Sequence, residues 1–305
     1  MGVRRRLHGV VAATVLAALA VGCGGAEKPG GADREAVAEP PIARTAAAPA
    51  DGAPVALPLD GYSVGADESA LIFRAMGQAT RSCMAAKGFD YDPGEVPAAP
   101  PATPVDPGTL GLLSATAARQ TGYHRPPRPA GGVSGTSGNG PARSAEFQRA
   151  LQGEADRKAG LADSGADRGC MGEFERQLQA AGVKSTASDL VGTLRTKAYD
   201  RTSSDSRVTA ALSAWHSCMA ALGYGYANPV QASSAAWPDP VSQQEKDTAT
   251  ADMDCKARTG LLETWYAVQT AYQQQYIAGN EAALEAVRET SGRRVAAAKK
   301  ALGRL

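Results

Sequence analysis

Three arrangements that carry chemistry are missing from this sequence, and each absence excludes a class. No two cysteines form a Cys-x-x-Cys knuckle, and the nearest two, Cys218 and Cys255, stand 37 residues apart. Zinc clusters space their paired ligands roughly two to four residues apart, and thioredoxin-like redox sites need the same close pair. No His-Glu-x-x-His or Ser-x-x-Lys motif occurs, which removes the common metalloprotease and penicillin-binding signatures. Gly61-Tyr62-Ser63-Val64-Gly65 matches the Gly-x-Ser-x-Gly pattern and Gly135-Thr136-Ser137-Gly138-Asn139 approaches it but ends in Asn; neither follows a strand that would make it a nucleophile elbow. Aromatics make up only 5% of the chain, and β-branched runs with period-two alternation are absent. Without a strand there is no P-loop or dinucleotide fingerprint to support, and a classical solute-binding α/β architecture is disfavoured.

Charge of one sign is also lacking. The chain holds 32 basic and 31 acidic residues, and no basic stripe long enough to track a phosphate backbone. Nucleic acid is therefore not an expected partner. The cluster Arg293, Arg294, Lys299, Lys300 and Arg304 lies toward the C-terminus of a helical pattern, where basic residues complement the helix dipole. No cofactor or metal ligand set is expected.

What is present begins with an address. Arg4, Arg5 and Arg6 precede an apolar run from Val10 to Val21, too short for a bilayer span of about 20 residues but suited to a signal-peptide core. The run ends in Leu19-Ala20-Val21-Gly22-Cys23, which resembles the bacterial lipobox, with Ala20 where Leu is preferred. Residues 1–22 are thus expected to be a lipoprotein signal peptide and Cys23 the lipidated residue. An ordinary cleaved signal peptide ending at Ala-Val-Gly is the alternative. Three of the 32 basic residues leave with the leader, so 29 remain against 31 acidic ones. Residues 23–65 are rich in Ala, Gly, Pro, Glu and Asp, a composition that cannot offset the entropy of ordering. They are expected to be a disordered tether, with a coil span of roughly 35–40 Å.

The rest of the chain is organised by a repeat. Ser82-Cys83-Met84-Ala85-Ala86-Lys87-Gly88-Phe89-Asp90-Tyr91 returns as Ser217-Cys218-Met219-Ala220-Ala221-Leu222-Gly223-Tyr224-Gly225-Tyr226, identical at seven of ten positions. The spacing of Ile72, Met76, Ala79 and Cys83, and of Val208, Leu212, Trp215, Met219 and Leu222, predicts two matched helices. Gly88 and Gly223 sit where a left-handed residue would stop each helix. Four cysteines remain beyond Cys23, an even count that favours disulfides in an exported chain. Four cysteines allow three connectivities. If the unit was duplicated whole, Cys83 pairs with Cys170 and Cys218 with Cys255, while a Cys83–Cys218 link would cross-staple the copies.

Helical patterns are also read at 107–118 after an Asp106 cap, from Ser144 to Gln152, at 167–180, at 186–199, at 242–258, and from Leu261 almost to the end. A single helix of that last length would reach ~60 Å, so it either breaks near Gly279-Asn280 or projects. The expected fold is an all-α, disulfide-stapled helical bundle of two related halves. Residues 66–183 form the first half, with a mobile loop at 125–143, and residues 184–305 the second, with a long C-terminal helix.

No catalytic residue is nominated. His216 lies beside Cys218, but residues two apart on a helix do not face each other. Paired carboxylates such as Glu281 and Glu285 read as a solvated face. The candidate ligand-binding residues are Trp215, His216, Tyr224, Tyr226, Trp237 and Trp265, since rings gathered near a loop can line a groove for a sugar or peptide. The competing reading is a core where that loop folds back over two helices.

The run Ala251-Asp252-x-x-Cys255-x-x-x-Thr259-Gly260-Leu261, followed by Trp265, Gln269, Tyr272, Ile277, Asn280 and Leu284, resembles a C-terminal pattern of actinobacterial secreted lipoproteins of unassigned function. The Cys-Met-x-x-x-Gly-aromatic signature at Cys83 and Cys218 is similar to theirs, as is Glu146-Phe147-x-x-Ala150-Leu151-x-Gly153 before Cys170. The resemblance implies lipid anchoring at the outer face of the plasma membrane and carries no reaction. Its expected partners are the membrane, through the N-terminal lipid, and an envelope protein or wall component.

Overall fold

The computed structural model describes residues 38–42, 51–94, 105–106, 108–124, 144–153, 168–183 and 189–303. The expected signal peptide, Cys23, most of the tether and the 125–143 loop lie outside the described residues. The chain divides into Met1–Ala38, of which only Ala38 is described, and Glu39–Leu305, which holds every described element.

The described residues are mostly helical. The matched helices are α1, Ala66–Ala86, and α6, Ser206–Ala221. Between them come a two-residue ladder, β1 (Val105–Asp106) and β2 (Gly111–Leu112), then α2 (Ala115–Thr121) and α3 (Ala145–Gln152). Next are α4 (Glu173–Ala180) and α5 (Leu190–Ser204). After α6 follow α7 (Pro229–Ser233), α8 (Gln243–Thr259), α9 (Leu261–Ala278) and α10 (Glu281–Leu302).

The two decapeptides end their helices identically. Gly88 and Gly223 adopt φ of 80° and 88°. The Phe89 and Tyr224 amides donate back to the Met84 and Met219 carbonyls, each at 3.0 Å. Cys83 is bonded to Cys170 in a 3-10 turn before α4, and Cys218 to Cys255 on α8. Of the three possible connectivities, this is the one a duplicated unit favours. Each closed loop contributes roughly 4 kcal/mol in the chain-entropy model.

The expected long C-terminal helix breaks at Gly279–Asn280, and α10 returns to pack along α1. Ala298 of α10 joins Ala75 and Ala79 of α1 and Phe174 and Leu178 of α4 in one buried cluster. The two halves therefore share core.

Two expectations are corrected. The tether was expected to run unpacked to Gly65, yet Pro58–Tyr62 forms a 3-10 turn whose Leu59 is fully buried with Val191, Leu194 and Leu284. Its amide donates to Gln273 Oε1 at 2.9 Å. Earlier still, Glu39 accepts from the Ser206 amide and hydroxyl, both at 2.7 Å, and Arg207 donates to the Pro40 carbonyl. Leu59 and Glu39 supply what the composition of the segment lacks.

The second correction concerns 107–118, expected to be helical from an Asp106 cap. Asp106 Oδ1 instead accepts the amides of Gly108, Thr109 and Leu110, closing the turn between β1 and β2. The helix starts only after Ser114, whose Oγ accepts from the Ala117 amide. Asp satisfies turn amides as readily as helix amides, so its presence did not discriminate.

Candidate functional site

The six nominated residues divide into two groups. Trp215 and Trp265 are core. Trp265 lies edge-on to Tyr199 at 5.1 Å, and Trp215 sits on the buried face of α6 with Val208, Ala211 and Met219. Neither lines a groove, which corrects that part of the expectation. Leu222 was expected on this apolar stripe and is instead 49% exposed, because the helix ends beneath it.

The other four share one corner. Trp237 stacks on Tyr123 at 5.4 Å and an interplanar angle of 24°, and its indole N–H donates to the Ala232 carbonyl. The Tyr226 ring stands 6.4 Å from Trp237. Exposed His216 contacts the Tyr226 carbonyl through Nδ1 at 2.9 Å. Tyr224 is half-buried at the end of α6. Burial, and then the neighbouring Tyr224, push the Tyr226 phenol up from its ordinary value.

Tyr123 leads from this corner into a polar seam that was not anticipated. The buried side of α8 carries Glu245, Asp252 and Lys256, all fully buried. These positions are separated by seven and four residues, so they fall along one helix face. Asp252 accepts from Trp215 Nε1 at 2.9 Å, Lys256 Nζ at 2.9 Å and Tyr123 Oη at 3.3 Å. Lys256 also donates to the Leu112 carbonyl of β2 at 2.6 Å. One carboxylate and one ammonium thus join α6, the end of α2, β2 and α8.

Burial pushes the Asp252 carboxyl up and the Lys256 ammonium down, each opposed by the partner's charge and hydrogen bond. Desolvation penalises an isolated ion heavily, and only pairing with further hydrogen bonds offsets it. Tyr123 is pushed upward by burial first and by Asp252 second, so its hydroxyl stays a donor.

Glu245 lies two turns earlier. Its amide is capped by Ser242 Oγ. Its Oε1 accepts from the Tyr123 amide and meets His124 Nδ1, both at 2.8 Å. Its Oε2 is buried with no hydrogen-bond partner among the described residues. His124 remains about one-third exposed, at 32%. A carboxylate that orients an imidazole is half of a general-base pair. Among the described residues no hydroxyl or thiol is hydrogen-bonded to His124, so the geometry is that of a positioned imidazole without a nucleophile.

A signal for the seam exists in the sequence. Ser242-x-x-Glu245 is a capping-box pattern, and Asp252 with Lys256 is an i,i+4 pair. Both occur equally on solvated helices, and the partners Tyr123 and Trp215 are remote in sequence.

A separate cavity of about 240 Å³ is lined by Tyr62, Leu190, Val191 and Val287, with Asp189 and Ser63 as polar wall. None of the nominated residues lines it. Among the described residues no group of three or more His, Cys, Asp or Glu side chains is placed to hold a metal ion. No described helix is long and apolar enough to cross a membrane.

Compared with known proteins, the chain matches no family model, no curated protein and no solved structure.

Proposed function

We propose that this chain is a lipid-anchored lipoprotein of the cell envelope, a non-enzymatic interaction or accessory module held at the outer face of the plasma membrane through Cys23. The observation that carries the reading is the pair of disulfides, Cys83–Cys170 and Cys218–Cys255. Such bonds persist in oxidising compartments and are rare where thiols are kept reduced. The arginines, short apolar run and Gly22-Cys23 supply a matching export and lipidation signal. The absence of a reaction from the proposal is supported by the use of Asp252 and Lys256, whose charged groups are spent joining four elements. Replacing Cys23 with Ala tests the anchor. The variant is expected in the medium, and its retention in the membrane fraction would overturn the reading.

A second reading, a saccharide- or peptide-binding protein, is favoured by one observation. Trp237, Tyr224 and Tyr226 stay partly accessible around one corner, with His216 exposed beside them. Trp237→Ala decides between the two readings. If it leaves the helical signal intact but abolishes capture of cell-wall fragments by the wild-type protein, the ligand reading replaces the module.

A further inference from the structure

The two disulfides share a layout but differ in one neighbour. In each, the sulfur from the decapeptide is half-buried, at Cys83 and Cys218, and its mate is fully buried, at Cys170 and Cys255. Only the second bond has a cation against it among the described residues. Arg258, one turn after Cys255 on α8, brings a guanidinium nitrogen to 2.7 Å from Cys218 Sγ and 3.4 Å from Cys255 Sγ. Arg258 is exposed, and it forms no ion pair with a carboxylate among the described residues. Its charge is therefore directed at the sulfurs alone.

That placement matters for one reaction. Thiol–disulfide exchange proceeds by attack of a thiolate on one sulfur while the other leaves as a thiolate, and it quickens as the leaving thiolate is stabilised. A positive charge nearby favours the thiolate form. At this bond the accessible sulfur is Cys218, and the departing sulfur would be Cys255, fully buried and otherwise without a counter-charge. A guanidinium in reach of both sulfurs serves the incoming anion and the outgoing one.

We propose that Cys218 is a thiol–disulfide exchange site for low-molecular-weight thiols and dithiols. An external thiolate attacks Cys218 Sγ, the Cys218–Cys255 bond breaks, and its electron pair leaves on Cys255 Sγ beside Arg258. The product is a mixed disulfide at Cys218. With a dithiol, the reagent's second thiolate then attacks its own sulfur in that mixed disulfide and releases Cys218 as a thiolate. The dithiol is oxidised to a disulfide, the protein bond is reduced, and the two cysteine thiolates equilibrate with water. The exchange does not require the helices to separate, because the Trp215–Asp252 hydrogen bond and the packing of α6 on α9 join them independently of the disulfide.

The test uses the oxidised full chain with reduced glutathione, quenched in acid and mapped without reduction. The glutathione adduct is expected on Cys218, with Cys255 free, roughly three- to tenfold faster than any adduct at Cys83 or Cys170. Arg258→Gln is expected to slow the Cys218 adduct by roughly three- to tenfold, the range for a leaving thiolate losing one to two decades of stabilisation at a Brønsted slope near one half. It should leave the Cys83–Cys170 rate unchanged, and Arg258→Lys should retain most of the wild-type rate. A general loosening of the fold would instead speed both bonds. Equal rates at the two disulfides, an adduct on Cys255, or an unchanged rate in Arg258→Gln would each overturn the proposal.

Discussion

Trp215 and Asp252 are joined by a buried hydrogen bond of 2.9 Å from the indole N–H to the carboxylate. The bond connects α6 to α8 from inside, while Cys218–Cys255 connects the same helices nearer the surface. Asp252 gathers Lys256 and Tyr123 as well, so the ion pair is the polar centre of the second half. Breaking a buried pair by removing one partner leaves a charge without compensation and typically costs about 3–5 kcal/mol. Lys256→Met is therefore expected to lose that much in urea unfolding. Adding Asp252→Asn, which removes the charge but keeps an acceptor for Trp215, should recover most of the loss. A Lys256→Met variant within about 1 kcal/mol of wild type would show that the pair is not held as described.

The two tryptophans that sequence reasoning treated alike have opposite expectations. Trp215 is fully buried, and Trp→Ala in a core costs about 3–5 kcal/mol. Trp237 is partly exposed and contributes chiefly its stack on Tyr123, worth about 0.5–1.5 kcal/mol beyond area. Denaturation midpoints of Trp215→Ala and Trp237→Ala should differ accordingly. Similar midpoints would contradict the division of the aromatics into core and corner. For the same reason, only Trp237→Ala is a usable probe of ligand capture.

Much of this architecture was legible because its signals are local. A glycine five residues after an in-register cysteine stops α1 and α6 in the same way, and the duplication pointed to the correct disulfide partners. Leu59 was not legible, since a leucine in a Pro-rich stretch becomes core only when Val191, Leu194 and Leu284 arrive to cover it. The seam on α8 was hidden for a related reason. Glu245, Asp252 and Lys256 carry the pattern of a solvated face, and their burial depends on Tyr123 and Trp215, remote in the chain. Trp215 was readable both as a stripe member and as a groove residue; tertiary packing chose the stripe.

Acid should loosen the corner between α5 and α6. Asp205 is nearly fully buried and accepts three bonds from Arg207 and one from Tyr272. Burial opposes its ionisation, but the Arg207 bonds and charge prevail and hold the carboxyl below its ordinary value. A depressed folded value means stability that is present above the unfolded value, near about 3.9, and lost as pH falls through the folded one. Thermal midpoints should therefore drop progressively below about pH 5. Asp205→Asn should lower the midpoint at neutral pH and flatten that acid limb. An acid limb equally steep in the variant would assign the loss to other carboxylates.

Gly122 offers the sharpest test of the His124–Glu245 contact. It ends α2 with φ of 61°, and a Cβ there would stand 2.6 Å from Glu245 Oε1 and 2.8 Å from its Cγ. Glu245 has no room to yield, being fully buried with one oxygen bound to the Tyr123 amide and His124. Gly122→Ala combines left-handed strain with displacement of a buried carboxylate, and roughly 2–4 kcal/mol is expected to be lost. Gly223→Ala serves as the control. It has a similarly positive φ of 88° but nothing within 4 Å of the added methyl, so it should lose only the conformational part, about 1–2 kcal/mol. In the Gly122 variant the His124 imidazole should also lose its carboxylate partner, seen as a shift of its ring resonances in NMR. An undisturbed imidazole with equal losses at the two glycines would mean that Glu245 does not pack against this turn.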